Sequence, residues 1–165
     1  MSHMHQYRIL EREKQNKRLL ESRLLLRAFQ RLCEHWDLSR KEGFELLGLN
    51  SLHQLSSWQS NAADMLLTDA QIERLSFLLS IHQTLDQHLQ VQTLLLKWLR
   101  DPQSLGALSL DSAQVPTIDT TPLELFRWAN KQQLRYIAQQ IIDAEPSALL
   151  LNTPAQLTAN SSIRF

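Results

Sequence analysis

Ser51, His53, Gln54 and Ser57 fall within one short polar segment, and Arg40 and Lys41 stand together ahead of it. On the outer side of a helix, Gln54 offers the paired donor and acceptor that the major-groove edge of adenine requires. Ser57 can hydrogen-bond the backbone of either strand, and His53 can do either job. Arg40 and Lys41 would hold phosphates and set the register. The chemistry these side chains suit is recognition of nucleic acid, not bond-making. Its weakness lies in the same place: from Ser51 to Asn61 there is no Lys or Arg. The bidentate contact to guanine is therefore missing, and few phosphates can be neutralised.

The elements that must position this set read as a helix-turn-helix between Leu38 and Trp58. Ser39 and Glu42 form a capping box that starts the first helix. Phe44, Leu46 and Leu47 give it apolar residues, and Gly48 stands where a helix end needs a left-handed residue. Asn50 or Ser51 can cap the second helix. Leu52, Leu55 and Trp58 recur on one side of it, which turns His53, Gln54, Ser57 and Asn61 outward.

Other chemistry is sparse. There is no glycine-rich phosphate loop, no CxxC and no HExxH. The six histidines make no i,i+4 pair. His82 and His88 would lie on different faces of one helix, and His82 falls on an apolar stripe as a core histidine with a satisfied nitrogen. Asp69 and Glu73 sit at a helix start, where the dipole accounts for them. The reading is a protein that is not an enzyme, with no cofactor and no metal site.

Composition sets the frame. A chain of 165 residues with 43% hydrophobic and 21% charged residues can bury a real core. Only three glycines in a leucine-rich chain favour helices. Formal charge is zero overall, but residues 1–60 carry ten Lys/Arg against seven Asp/Glu, and residues 61–165 carry seven against ten. The N-terminal part is the better partner for phosphate, although a charge run is most often a solvated face. A single cysteine, Cys33, excludes an internal disulfide and reads as a buried, inert thiol. No apolar run approaches membrane-spanning length, and MSHMHQYR lacks the apolar core of a signal peptide. It reads as a disordered start, and the protein as cytoplasmic with no membrane partner.

The fold class expected is all-α. Residues 1–19 form a basic arm or a solvated extension of the helix that follows. From Leu20, a buried stripe runs through Leu25, Ala28, Phe29, Leu32 and Trp36. Thr68 and Gln71 open a helix with Ile72, Leu75, Leu78, Leu79, His82, Leu85 and Leu89 on its apolar face. Val91–Leu99 is another apolar segment, stopped by Asp101-Pro102. Residues 103–120 read as a loop or linker without Lys or Arg. Thr121-Pro122-Leu123-Glu124 combines a capping box with proline at the first helical position, with Leu123, Phe126 and Ala129 facing inward. Asn130 and Gln133 cap a last helix with Leu134, Ile137, Ala138, Ile141 and Ile142 apolar. Pro146 and Pro154 make residues 145–165 a non-helical or weakly ordered tail.

Taken in order, the landmarks resemble the Xre/MbcA/ParS family of antitoxins. Trp36-x-Leu38-Ser39, Leu46-Leu47-Gly48-Leu49, Trp58, Glu73-Arg74-Leu75, Ile81 and Leu85 are similar to its Xre-like helix-turn-helix part. Trp98-Leu99, Pro102, Leu105-Gly106, Pro122-Leu123 and Leu134-Arg135-x-Ile137 are similar to its toxin-binding domain. The resemblance covers about residues 20–145. It implies a helix-turn-helix domain over 20–90 and a toxin-binding domain over 91–145 carrying an inserted loop at 107–121, with a tail at 146–165. It also implies a type II antitoxin that neutralises a cognate RES-type toxin, an enzyme that degrades NAD. Family members commonly dimerise and repress their own operon, so a homodimer and operator DNA are expected partners. Ser51–Trp58 would be the DNA-reading helix. Trp98, Pro102, Gly106, Pro122, Leu123 and Leu134 would belong to the toxin-binding domain, mostly as scaffold, with polar Arg135 a contact. An arm ending Ile163-Arg164-Phe165 could be the plug at the toxin, or a frayed terminus. The competing readings are a free-standing transcriptional regulator and an adaptor that dimerises through its long N-terminal helix.

Overall fold

Local capping chemistry starts four of the helices. Ser39 with Glu42, Thr68 with Gln71, Thr121 with Glu124 and Asn130 with Gln133 each form a reciprocal capping box, the four pairs the sequence predicts. In the computed structural model, which describes residues 2–49, 51–61, 65–115 and 117–150, every regular element is a helix. These are α1 (Ser2–His35), α2 (Arg40–Leu47), α3 (Leu52–Asn61), α4 (Asp69–Leu89), α5 (Gln92–Arg100), α6 (Pro122–Trp128), α7 (Lys131–Asp143) and α8 (Pro146–Leu150). A 3₁₀ turn, Ser104–Leu108, lies between α5 and α6.

Helix α4 is the axis of the packing. It buries Leu75, Leu78, Ile81, Leu85 and Leu89. Helix α7 lies along it with Leu134, Ile137, Ala138 and Ile141 buried, and α1 also packs on it. Helix α2 packs on α6, and α6 also meets α5. The buried apolar residues from Leu26 to Leu149 form one cluster, so the sequence division near residue 90 marks no break in the core.

Four expectations differ from what folds. The chain start is not a disordered segment: α1 is helical from Ser2, its 34 residues giving a rod about 51 Å long. Its inward register is Ser22, Leu26, Phe29 and Leu32, continued by Trp36 just past its end, with Leu25 and Ala28 only half-buried. Residues 103–120, read as a loop or linker, hold a 3₁₀ turn and contribute to the core. Leu105, Leu108 and Val115 are buried, the Asp111 N–H donates to the Tyr136 hydroxyl at 3.0 Å, and the Gln133 amide donates to the Gln114 carbonyl at 3.2 Å. The tail is helical over Pro146–Leu150, because proline at the first position starts a helix as readily as an internal one ends it. Leu149, 1% exposed, anchors α8, which packs on α4 and the 3₁₀ turn.

The fourth difference concerns α3. Trp58 is buried, Leu55 half-buried, but Leu52 is 85% exposed. Leu52 is the first residue of the helix and lies beyond the end of its packed face. Helix α3 is held by Trp58, whose ring meets Phe29 at 5.7 Å between centroids. Gly43 makes this possible: a Cβ there would stand 3.1 Å from the Trp58 ring. Glycine inside a helix costs about 1 kcal/mol relative to alanine, and here it opens the space the indole fills.

Candidate protein-docking surface

The first turn of α2 and the end of α3 lock together through Arg40 and Trp58. The Arg40 guanidinium donates to the Trp58 carbonyl at 3.2 Å and also to the Gln59 carbonyl, while the Trp58 indole N–H donates to the Arg40 carbonyl at 3.1 Å. Arg40 thus caps the carbonyl end of α3, where a cation is favoured. Gln54 is also engaged. Its amide donates to the Gln71 amide oxygen at 2.9 Å and accepts from the Gln71 nitrogen at 2.9 Å. Both polar ends of the Gln54 amide therefore have a partner inside the fold, while exposed Arg40 is tied through a single guanidinium nitrogen, Nη1. The Ser51 hydroxyl accepts from the Gln54 N–H at 3.0 Å and so caps α3. Lys41 and His53 are exposed, and Ser57 is half-buried.

On the other side of α2, charged side chains tie it to the second half of the chain. Arg127 of α6 donates to the Glu45 carboxylate, its Nε at 2.7 Å. Arg100 of α5 reaches Glu42 at 3.2 Å. Burial alone would raise the Glu42 pKa, but the Arg100 hydrogen bond, the Ser39 N–H and the charges of Arg100 and Arg127 hold it below the usual carboxylate range. Deeper in, Arg74 of α4 donates to Leu46 O at 2.6 Å, Ala129 O at 2.6 Å, Arg127 O at 3.2 Å and Phe126 O. One guanidinium thereby satisfies the carbonyl ends of both α2 and α6. Desolvation lowers its pKa. Sequence reasoning assigned Arg74 no role, although its position three residues after Gln71 and four before Leu78 places it on the packed side of α4.

Between these ties α2 presents Phe44 as a ridge between two depressions. One, about 620 Å³, is lined by Phe44, Leu49, Thr120, Glu124 and Trp128 together with the Glu45–Arg127 pair. The other, about 260 Å³, is lined by Phe44, Leu55, Trp58 and Gln59 with Arg40, Lys41 and Glu45 at its edge. Trp128 is 46% exposed despite its size. This surface was not legible beforehand, because it joins residues from α2, α3 and α6 that share no local pattern.

The residues assigned to a toxin-binding domain divide by exposure. Trp98, Pro122, Leu123 and Leu134 are buried and act as scaffold. Pro102, Gly106 and Arg135 are exposed. Arg164 and Phe165 lie outside the described residues. His82 is half-buried, and its Nδ1 accepts the Trp36 indole N–H at 3.0 Å. His35 packs edge-on against it at 5.2 Å and sits 3.3 Å from Asp86. Burial, then the neighbouring His35, lower the His82 pKa, and Asp86 opposes them. Burial and the nearby Glu34 push the Cys33 thiol up to about 12, so it stays protonated at neutral pH. No group of three His, Cys, Asp or Glu side chains suited to a metal ion occurs among the described residues, nor does any helix there have the length and apolarity to cross a membrane. Compared with protein-family models, with curated proteins and with solved structures, the chain matches none.

Proposed function

We propose that this protein is a type II antitoxin that binds and neutralises a cognate RES-type, NAD-degrading toxin. The observation that carries the reading is the ridge-and-groove surface of α2 and α6. An aromatic centre, Phe44 with half-exposed Trp128, is bordered by Arg40, Lys41, Glu124 and Arg127. Aromatic anchors inside a polar rim are the composition that protein interfaces favour. The engagement of both ends of the Gln54 amide by Gln71 argues against base reading by α3, so neutralisation of a protein is proposed as the primary activity and operator binding as a secondary one. The ordered resemblance from Trp36 to Ile137 supplies the class of partner, and a homodimer would double any operator contacts.

Co-expression with a RES-type toxin encoded beside this gene tests the proposal. The intact protein should restore growth and copurify with the toxin. Trp128→Glu should abolish both while leaving helicity and thermal midpoint unchanged, since the indole is already half in water. Absence of rescue by the intact protein would sink the antitoxin reading. Full rescue by Trp128→Glu would remove this surface from it.

A further inference from the structure

We infer that the outer side of α1 is a docking site for the phosphate backbone of duplex nucleic acid, bound without regard to sequence. The cations of this neutral chain are concentrated there: α1 holds eight Lys/Arg against four Glu, so the remainder of the chain is net negative. Five arginines are spaced by fours, Arg8 with Arg12 and then Arg23, Arg27 and Arg31, and all five are exposed. Residues four apart drift only about 40° round a helix, so each group forms a row. The later row faces away from the buried Leu26, Phe29 and Leu32. Glu13 and Glu34 are the carboxylates beside the rows; Glu11 is 3.7 Å from Lys14, and Glu21 stands nearer the packed side.

The length fits a polyanion. From Arg8 to Arg31 the helix rises about 35 Å, which matches about ten base pairs of duplex at 3.4 Å each. Within each row the cations repeat every four residues, about 6 Å along the axis, and such a repeat calls for spaced anions, which a nucleic-acid backbone has and an acidic protein surface lacks. A second copy of the chain fits less well: of the exposed apolar residues of α1, Met4, Tyr7, Ile9 and Leu10 are spread round the helix, and Leu20 with Leu24 makes a single one-turn pair, short of the sustained heptad seam a helix pair needs. The uncharged α3, with Gln54 held by Gln71, adds no base contact, hence the indifference to sequence.

The test is fluorescence anisotropy of the full chain with two unrelated labelled 20-base-pair duplexes between 50 and 200 mM KCl. Both duplexes should bind within about twofold of each other, with affinity falling steeply as salt rises. Arg27→Gln with Arg31→Gln should weaken binding about tenfold at 100 mM KCl and flatten the log–log salt slope by about 1.8, two phosphates at 0.9 each. Lys97→Gln, at an exposed position of α5, should change neither. Circular dichroism verifies that each variant stays helical. No binding at 50 mM KCl overturns the inference, as does an unchanged slope in the double variant. A tenfold preference between duplexes returns the site to α3 and also overturns it. Competition by polyglutamate as effective as that by DNA at equal charge would name an acidic protein as the ligand instead. The assay contains no toxin, so its outcome is independent of the antitoxin proposal.

Discussion

Replacing Arg74 by methionine removes a cation that joins the two halves of the chain while keeping most of its apolar stem. Four carbonyls lose a donor: Leu46 at the end of α2, and Phe126, Arg127 and Ala129 at the end of α6. A hydrogen bond from a charged donor is worth about 1.5–3 kcal/mol, so simple summation over four acceptors sets a ceiling near 6–12 kcal/mol. The true loss is smaller, because Arg74 is half-buried and water can reach some of the abandoned oxygens. A buried acceptor left unsatisfied costs about 1–3 kcal/mol, so with only some of the four oxygens sealed from water the expected loss is about 3–5 kcal/mol. At about 2–4 °C per kcal/mol for a chain of this size, the thermal midpoint falls by about 6–20 °C. Arg74→Lys should recover less than half of the loss, since a single ammonium cannot face both helix ends as the planar fork does. Urea denaturation followed by helical circular dichroism measures both variants. If Arg74→Met unfolds within about 1 kcal/mol of the parent, the guanidinium is not what joins α4 to the ends of α2 and α6.

Two further predictions use the Trp36–His82 pair. Burial depresses the folded-state pKa of His82, so the unfolded chain binds the proton more readily, and stability is full above the unfolded value of about 6.5 and declines as pH falls through the folded one. His82→Gln, which can still accept from Trp36, should show a flatter fall in urea midpoint between pH 7 and 5 than the parent; parallel curves would mean that His82 does not titrate with folding. Trp36→Phe and Trp98→Phe remove similar volume, but of the two only Trp36 has a hydrogen-bonded indole N–H, while the Trp98 Nε1 is buried without a partner among the described residues. Denaturation should find Trp36→Phe less stable than Trp98→Phe by about 1 kcal/mol, and equal losses would contradict this account.

What the sequence determined alone is what neighbours along the chain decide. Ser39 with Glu42, Thr68 with Gln71, Thr121 with Glu124 and Asn130 with Gln133 read as capping boxes from spacing alone, and these four form, whereas at Ser51 the Gln54 side chain bonds Gln71 instead of closing the box. Gly48 takes its left-handed φ of 73° because a helix end needs one, and the stripe through Leu75, Leu78 and Leu85 follows from helical period. Helix identity, and with it the all-α class, was therefore legible. Function-bearing surfaces were not, because they depend on pairs distant in sequence. Gln54 meets Gln71 across 17 positions, Arg40 meets Trp58 across 18, and Arg74 reaches Ala129 across 55. Read by themselves, Gln54 and Arg40 are polar groups free to bind a partner, and Arg74 carries no sign of its acceptors. Only tertiary structure turns them into internal ties, buries Leu105 and Val115 of the apparent linker, and leaves Trp128 in the open beside half-buried Phe44, because side-chain polarity says what a group needs and the fold decides who supplies it.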